Sequence, residues 1–265
     1  MPLPAHLDTA LLDAALWTAD SLGRASTPTC ASGHALLDAE LPGGGWPGGA
    51  LTELLLAPLP SGLLCARGEL RLLGPALVRL GSAGSDIVLV APPLQLHAPA
   101  LAAWGWPLPR LLLVEPAGLA DAAWAAEQAL RSRRCAAVVW WTPAAPLPRA
   151  TTALLRLALR RLHLAAHDST SLLFVLRDAA SAAQSSPAPL RLLCEPDPAS
   201  TLHLQVRLLK RRGPPCAAAL RLERLGPANA GALMPPPRPA ASRPPPALLH
   251  LPHALAVPGP AAAAA

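Results

Sequence analysis

Between residues 50 and 176 the sequence alternates short apolar runs with longer stretches whose apolar residues recur at helical spacing, and no other feature limits the fold so tightly. The runs are ALTELLL (50–56), DIVLVA (86–91), RLLLV (110–114), AAVVWW (136–141) and SLLFVL (171–176). Between them GELRLLGPALVRL (68–80), QLHAPALAAW (95–104), GLADAAWAAEQALRSRR (118–134) and RATTALLRLALRRLHLA (149–165) read as helices. Nearly continuous apolar strands need cover on both faces, and helical connections make neighbouring strands parallel. The order predicts an α/β fold, a mostly parallel sheet flanked by helices. Pro75 is expected to weaken or kink its helix, and Pro99 to be a defect of the same kind. Glu127 and Arg131 are spaced for an i,i+4 ion pair.

The rhythm differs on either side of this stretch. HLDTALLDAALWTADSL (6–22) has helical spacing, residues 24–29 form a polar break, and a short helix follows Ser32-Gly33-His34 and ends near Leu41. PGGGWPGG (42–49) must be a turn or loop. Beyond residue 190, LRLLC (190–194), TLHLQVRLLK (201–210) and CAAALRLE (216–223) read as strands joined by EPDPAS and RRGPP, without helices between them. They predict an antiparallel β extension on one sheet edge. Past Gly226 the chain is Pro/Ala-rich and is expected to form a disordered tail. Three regions result: a helix and linker over 1–29, a core over 30–225 and a tail over 226–265.

Composition narrows the function. Hydrophobic residues make up 52%, enough for a sizeable core, whereas aromatics are 3%, too few for single-strand binding by base stacking. The 22 basic residues are 21 Arg and one Lys, Lys210, so no chemistry needing a lysine early in the chain can operate. A net charge of +6 does not by itself demand nucleic acid. Cys30, Cys65, Cys135, Cys194 and Cys216 are widely spaced without a C-x-x-C, which disfavours a disulfide or metal framework. The apolar stretch near the N-terminus contains Asp8 and Asp13, unlike a signal peptide, and no apolar run reaches a membrane-spanning length. A soluble cytoplasmic protein is expected.

In α/β folds phosphates sit where a strand enters a glycine-containing loop that opens a helix. Here ALTELLL enters APLPSGLLCARGEL, but Glu69 stands where a phosphate-binding lysine would follow the last glycine. Leu70 and Arg71 come next, without the hydroxyl that would hold magnesium.

The strings SGHALLDAELPGGGWPGGALTELL (32–55), IVLVAPPLQLHAPALAAWGWPLPRLLLVEPAGLADAAWAAEQALRS (87–132) and VRLLKRRGPP (206–215) together resemble the RecA core, and more closely the ImuA family of RecA-like accessory proteins in translesion DNA synthesis. The resemblance covers roughly residues 30–225 by eye and rests on the order of segments rather than on one motif. It implies a RecA-like fold in which the carboxylate that activates water is replaced by Pro93 or its neighbours, and the magnesium aspartate by Trp141 or Thr142. Without lysine, metal ligand and general base, phosphoryl transfer has little to work with, so the chain is expected not to be an ATPase. No catalytic residue, cofactor or metal is assigned. The segments PAAPLP (143–148) and RDAASAAQSSPAP (177–189) correspond to the DNA-binding loops of RecA, yet share only Arg177 and no aromatic.

Partner binding is assigned instead to cations. Lys210, Arg211 and Arg212 fall where RecA lysines reach a neighbouring subunit's nucleotide, although a solvated turn between strands explains such cations too. Arg149, Arg156 and Arg160 form a stripe along one helix, with Leu154, Leu155, Leu159 and Leu162 expected toward the core. The i,i+4 pair His163/His167 lacks a third metal ligand and reads as a surface feature, and Gln205–Leu209 lies in a strand rather than in a clamp-binding peptide. ALLHLPHALAV (247–257) offers a docking peptide beyond a Pro-rich spacer. The resemblance implies an SOS accessory with three partners: an ImuB-like Y-family polymerase homologue, an error-prone replicative-type polymerase and, as a further candidate, RecA. A SulA-like inhibitor of cell division and a residual nucleotide-binding enzyme are the alternatives.

Overall fold

The computed structural model describes residues 28–59, 61, 68–216 and 218–223, all within the unit Met1–Pro235. The helix expected over 6–22, Cys65, the tail from 226 and the peptide 247–257 lie outside the described residues. The chain runs through β1 (Thr29–Cys30), α1 (Ala35–Glu40), β2 (Trp46–Pro47), β3 (Ala50–Leu56), α2 (Glu69–Ser82), β4 (Asp86–Val90) and α3 (Ala98–Ala103). It continues through β5 (Leu111–Val114), α4 (Leu119–Arg131), β6 (Cys135–Trp141), α5 (Arg149–His167), β7 (Leu172–Asp178), β8 (Leu190–Pro196), β9 (His203–Lys210) and β10 (Leu220–Glu223).

Eight strands form one sheet in the order β10-β9-β8-β3-β7-β6-β4-β5. The six from β8 to β5 are parallel, and β9 and β10 add antiparallel to β8. The mixed α/β architecture with a mostly parallel sheet and a small antiparallel extension is therefore as the sequence predicts. One expectation needs correction: LRLLC begins the last parallel strand and does not belong to the antiparallel extension. A parallel partner requires the chain to cross from the C-terminal end of β7 back to the start of β8, and here residues 179–189 make that crossing without an α-helix.

Strand alternation sorts side chains onto two apolar layers. Leu54, Leu56, Leu89, Val139, Phe174 and Leu192 meet α1, α2 and α3 on one face. Leu51, Val90, Val138, Trp140 and Val175 meet α4 and α5 on the other. The central strand β3 is buried at every position, because it has strands on both sides and cover above and below. Helix α2 runs unbroken through Pro75 from Glu69 to Ser82. Pro99 proves no defect, since it lies in the first turn of α3, where a missing N–H costs nothing, and the His97 imidazole Nδ1 accepts from Ala100 N–H at 3.2 Å. The loop expected over 42–49 includes β2, which pairs with β1.

The turn entering α1 is fixed by a close approach to α2. Gly33 has φ +87°, and a Cβ there would sit 2.4 Å from Pro75 Cβ. Gly84 shares the left-handed conformation, φ +92°, with nothing within 4 Å of such a Cβ. Gly84→Ala is therefore expected to cost about 1 kcal/mol for conformation alone, and Gly33→Ala about 2–4 kcal/mol, because overpacking adds to it. Urea unfolding of the two variants checks this. Equal losses would show that the contact with Pro75 contributes nothing.

Candidate functional site

The loop after β3 leads to α2, where a phosphate would approach the helix start. Residues 60 and 62–67 lie outside the described residues, but the helix start is described. Gly68 is its N-cap at φ 102°, and Glu69, 3% exposed, is the first helical residue. A carboxylate is favourable at that end of a helix dipole, and for the same reason it occupies the field an anion would use. At the other strand ends, Val90 is followed by Ala91 at φ 52°. Trp141 and Thr142 are buried, the Thr142 hydroxyl donating to Leu176 O at 3.0 Å. Asp178 closes β7, and both of its carboxylate oxygens accept backbone N–H groups, from Ala145 at 2.9 Å and Ala180 at 2.8 Å. That carboxylate ties down the 143–148 segment.

The 177–189 segment is held more firmly still, by a group of charges that sequence reasoning missed. Glu53 from the middle of β3 is fully buried between Arg177 of β7 and Arg191 of β8, which are 3% and 6% exposed. Its Oε1 accepts from Arg177 Nη1 at 3.0 Å and from the Ser186 hydroxyl at 2.6 Å, and its Oε2 from Arg191 Nε at 2.7 Å. The rest of the Arg191 fork donates to the carbonyls of Ser181, Ala182 and Gln184. Arg177 Nη2 donates to Gln184 Oε1, and Lys210 Nζ to Ser186 O at 3.1 Å.

The physical reason lies in the crossover. An α-helix satisfies its own carbonyls, whereas the Pro187- and Pro189-containing crossover pairs its own backbone at Ala182 to Ala179 and Gln184 to Ser181 and takes further donors from the sheet beneath it. Arg191 and Lys210 supply them, Arg177 holds the Gln184 side chain, and the Glu53 carboxylate offsets the charge of the two arginines. A signal was present in the sequence: ALTELLL, SLLFVLRD and LRLLC are apolar strands that each carry Glu53, Arg177 or Arg191. A buried Arg177 cannot serve as a phosphate contact.

The cationic candidates separate in space. Arg211 braces α1 to the end of β9, with Nη1 donating to Glu40 Oε2 at 2.8 Å and to Glu40 O, and Nε to Pro214 O at 2.7 Å. Lys210 is exposed at the end of β9 apart from its bond to Ser186 O. Arg212 lines a cavity at the N-terminal ends of β3 and β8, together with His163 and His167. The adjacent run KRR thus serves three surroundings rather than one patch.

On α5, Arg149, Arg156 and Arg160 are exposed and form no ion pair among the described residues. Leu155, Leu159 and Leu162 are buried as expected, but Leu154 is 39% exposed. Leu157 at 55% and Leu164 at 67% lie beside the stripe, three residues before and four after Arg160, and Leu154 lies farther round the helix. Glu127 takes two arginines, Arg131 at 2.7 Å as the spacing predicts and Arg161 of α5 at 2.6 Å. In β9 the alternation buries Val206 and Leu208. His163 and His167 are not an isolated surface pair, since both line the cavity with Arg212. Burial first, then the charges of His167, Arg212 and Lys210, hold the His163 imidazole below its usual range.

Cys30, Cys135, Cys194 and Cys216 are free thiols, and burial pushes Cys194 far above the usual thiol range. Among the described residues no three metal-ligating side chains gather, and no helix is long and apolar enough to cross a membrane. No family model and no curated protein matches this chain.

Proposed function

We propose that this chain is a non-catalytic RecA-like accessory of damage-induced translesion DNA synthesis, acting in the cytoplasm through protein–protein contacts. The partners of that reading are an ImuB-like polymerase homologue, an error-prone replicative-type polymerase and, as a further candidate, RecA. Support comes from the ImuA-like strings over 32–55, 87–132 and 206–215, and from Glu69 at the start of the helix after the central strand.

The observation that carries a contact role is the outer face of α5, where exposed Arg149, Arg156 and Arg160 lie beside exposed Leu157 and Leu164. Arginine beside apolar surface is the composition that protein interfaces favour. Immobilised full-length chain is expected to retain a purified ImuB-like protein and to release the division GTPase. The double variant L157D/R160E is expected to weaken retention by roughly tenfold or more, as losing a well-placed interface residue does. Retention of the division GTPase instead would favour the SulA-like alternative, and unchanged retention of the ImuB-like protein would remove α5 from the interface. Charge reversal at Lys210 and Arg212 tests the RecA contact in the same format.

A further inference from the structure

The cavity at the N-terminal ends of β3 and β8 has a volume of about 350 Å³, within the range of small-molecule sites. It lies at the opposite end of β3 from the loop where an α/β fold places a nucleotide. The titratable groups among its lining residues are His163, His167 and Arg212, and no carboxylate is among them. Lys210 adds its charge from the end of β9. The nearest acidic neighbour in sequence, Asp168, lines a separate hollow with Arg133 and Cys135 that also reaches His167.

Several lining donors are already engaged. Thr29 Oγ1 donates to Gly43 O, Ser169 Oγ to Ala166 O, Gly48 N–H to Pro28 O and Gly49 N–H to Ser171 O. The guanidinium of Arg212 and the two imidazoles make no such bond among the described residues, and His163 Nδ1 is a buried nitrogen without a partner. The remaining wall includes Pro28, Pro42, Pro47 and Pro189, rigid apolar surfaces against which a flat ring can lie. A cavity with cationic donors at hand, no acidic lining and a proline wall selects its ligand by charge and by shape.

We propose that this cavity binds a small organic oxyanion, a phosphate or carboxylate group carried on an apolar ring. Arg212 supplies a fixed charge and a planar fork of donors for the oxygens. His163 adds charge only when protonated, and an anion beside it favours that form, while His167 adds a second imidazole to the cavity wall. With the His163 imidazole held low in the free protein, binding takes up protons, so affinity rises as pH falls through the histidine range. The site draws Arg212 from the cations tested for a RecA contact and His163 and His167 from α5, so it is read out by small-ligand binding rather than by partner retention.

The test is calorimetry on the full chain with phenyl phosphate, benzoate, inorganic phosphate and phenol, at about pH 6 and about pH 8. Saturable binding of phenyl phosphate or benzoate is expected, tighter at the lower pH and with net proton uptake between buffers of different ionisation enthalpy. Whichever of the two binds more tightly identifies the head group. Inorganic phosphate and phenol are each expected to bind more weakly, because each offers only half of the recognised chemistry. Arg212→Ala and His167→Gln, both at exposed residues that need not disturb folding, are expected to lose roughly tenfold or more in affinity, the size of a charge-assisted hydrogen bond. Arg110→Ala, at the far sheet edge where Arg110 pairs with Asp86, should bind as the parent does. The proposal is overturned by no saturation at roughly 10 mM of either organic anion. Inorganic phosphate binding as tightly as the organic anions, or unchanged affinity in Arg212→Ala, overturns it equally.

Discussion

Replacing Glu53 by glutamine is expected to destabilise the fold by about 3–5 kcal/mol, the cost of leaving buried charge without its counterion. The substitution preserves shape, so no cavity confuses the result. What changes is that two guanidinium groups, 3% and 7% exposed in their side chains, lose the carboxylate between them. The new amide must also point an N–H₂ at one of two donors, either Arg191 Nε or the Arg177 and Ser186 pair. Urea unfolding measures the loss, with Glu195→Gln as the control. Glu195 pairs with Arg207 at 3.1 Å on the surface, where both side chains are over two-fifths exposed, and its removal is expected to cost under about 1 kcal/mol.

A second variant separates a plain ion pair from support of the crossover. Many buried ion clusters can be exchanged for apolar residues with little loss. The triple exchange Glu53→Leu, Arg177→Met and Arg191→Leu is expected to remain strongly destabilised, because the carbonyls of Ala182 and Gln184 then lose the Arg191 donor and that of Ser181 keeps only the Gln184 N–H. Full stability in the triple variant would show that the crossover needs no help from Arg191.

Trp46→Ala carries the other large effect, expected at about 3–5 kcal/mol for the truncation of a large buried aromatic. Trp46 is fully buried on β2, and its ring meets Phe174 of β7 edge-on, with centroids 5.2 Å apart at 85°. That contact fastens the Gly-rich segment 42–49 under the sheet. The indole N–H has no acceptor, so Trp46→Phe discards an unpaired donor along with some volume. It should cost less than half as much as Trp46→Ala in the same unfolding assay. If the two variants are equally damaged, the ring contact with Phe174 is not what Trp46 contributes.

The elements of the sheet were legible because their signal is local. ALTELLL is β3 residue for residue, and the helical spacing over 118–134 and 149–165 places α4 and α5 to within a few residues. The direction of β8 was not legible. Between residues 177 and 190 there is no helical pattern, and the simplest inference from that is an antiparallel return. The chain instead crosses in parallel over β3 as an irregular strap, with Arg191 bonded to its carbonyls and Arg177 to the Gln184 side chain. The partners in that arrangement are 124 and 138 residues apart in sequence. Charges within apolar strands were visible one at a time, but nothing local says that they meet.

The cations show the same division. One sequence run, Lys210-Arg211-Arg212, is a surface donor to the strap, a brace to α1 and a wall of the histidine cavity. Periodicity over ten residues fixes which face of an element an apolar side chain takes, since burial repeats with the backbone. It therefore determined that this chain is an α/β protein with a mostly parallel sheet, that Glu69 opens the helix after the central strand, and that the histidines lie one turn apart on α5. What each charged group faces depends on which distant strand lies beside it. Only the tertiary structure decided that Glu53 binds two arginines, that Arg177 is withheld from any ligand, and that His163 and His167 share a cavity with Arg212. The apolar pattern is written into each segment, whereas the pairing of charges exists only after the sheet has brought those segments together.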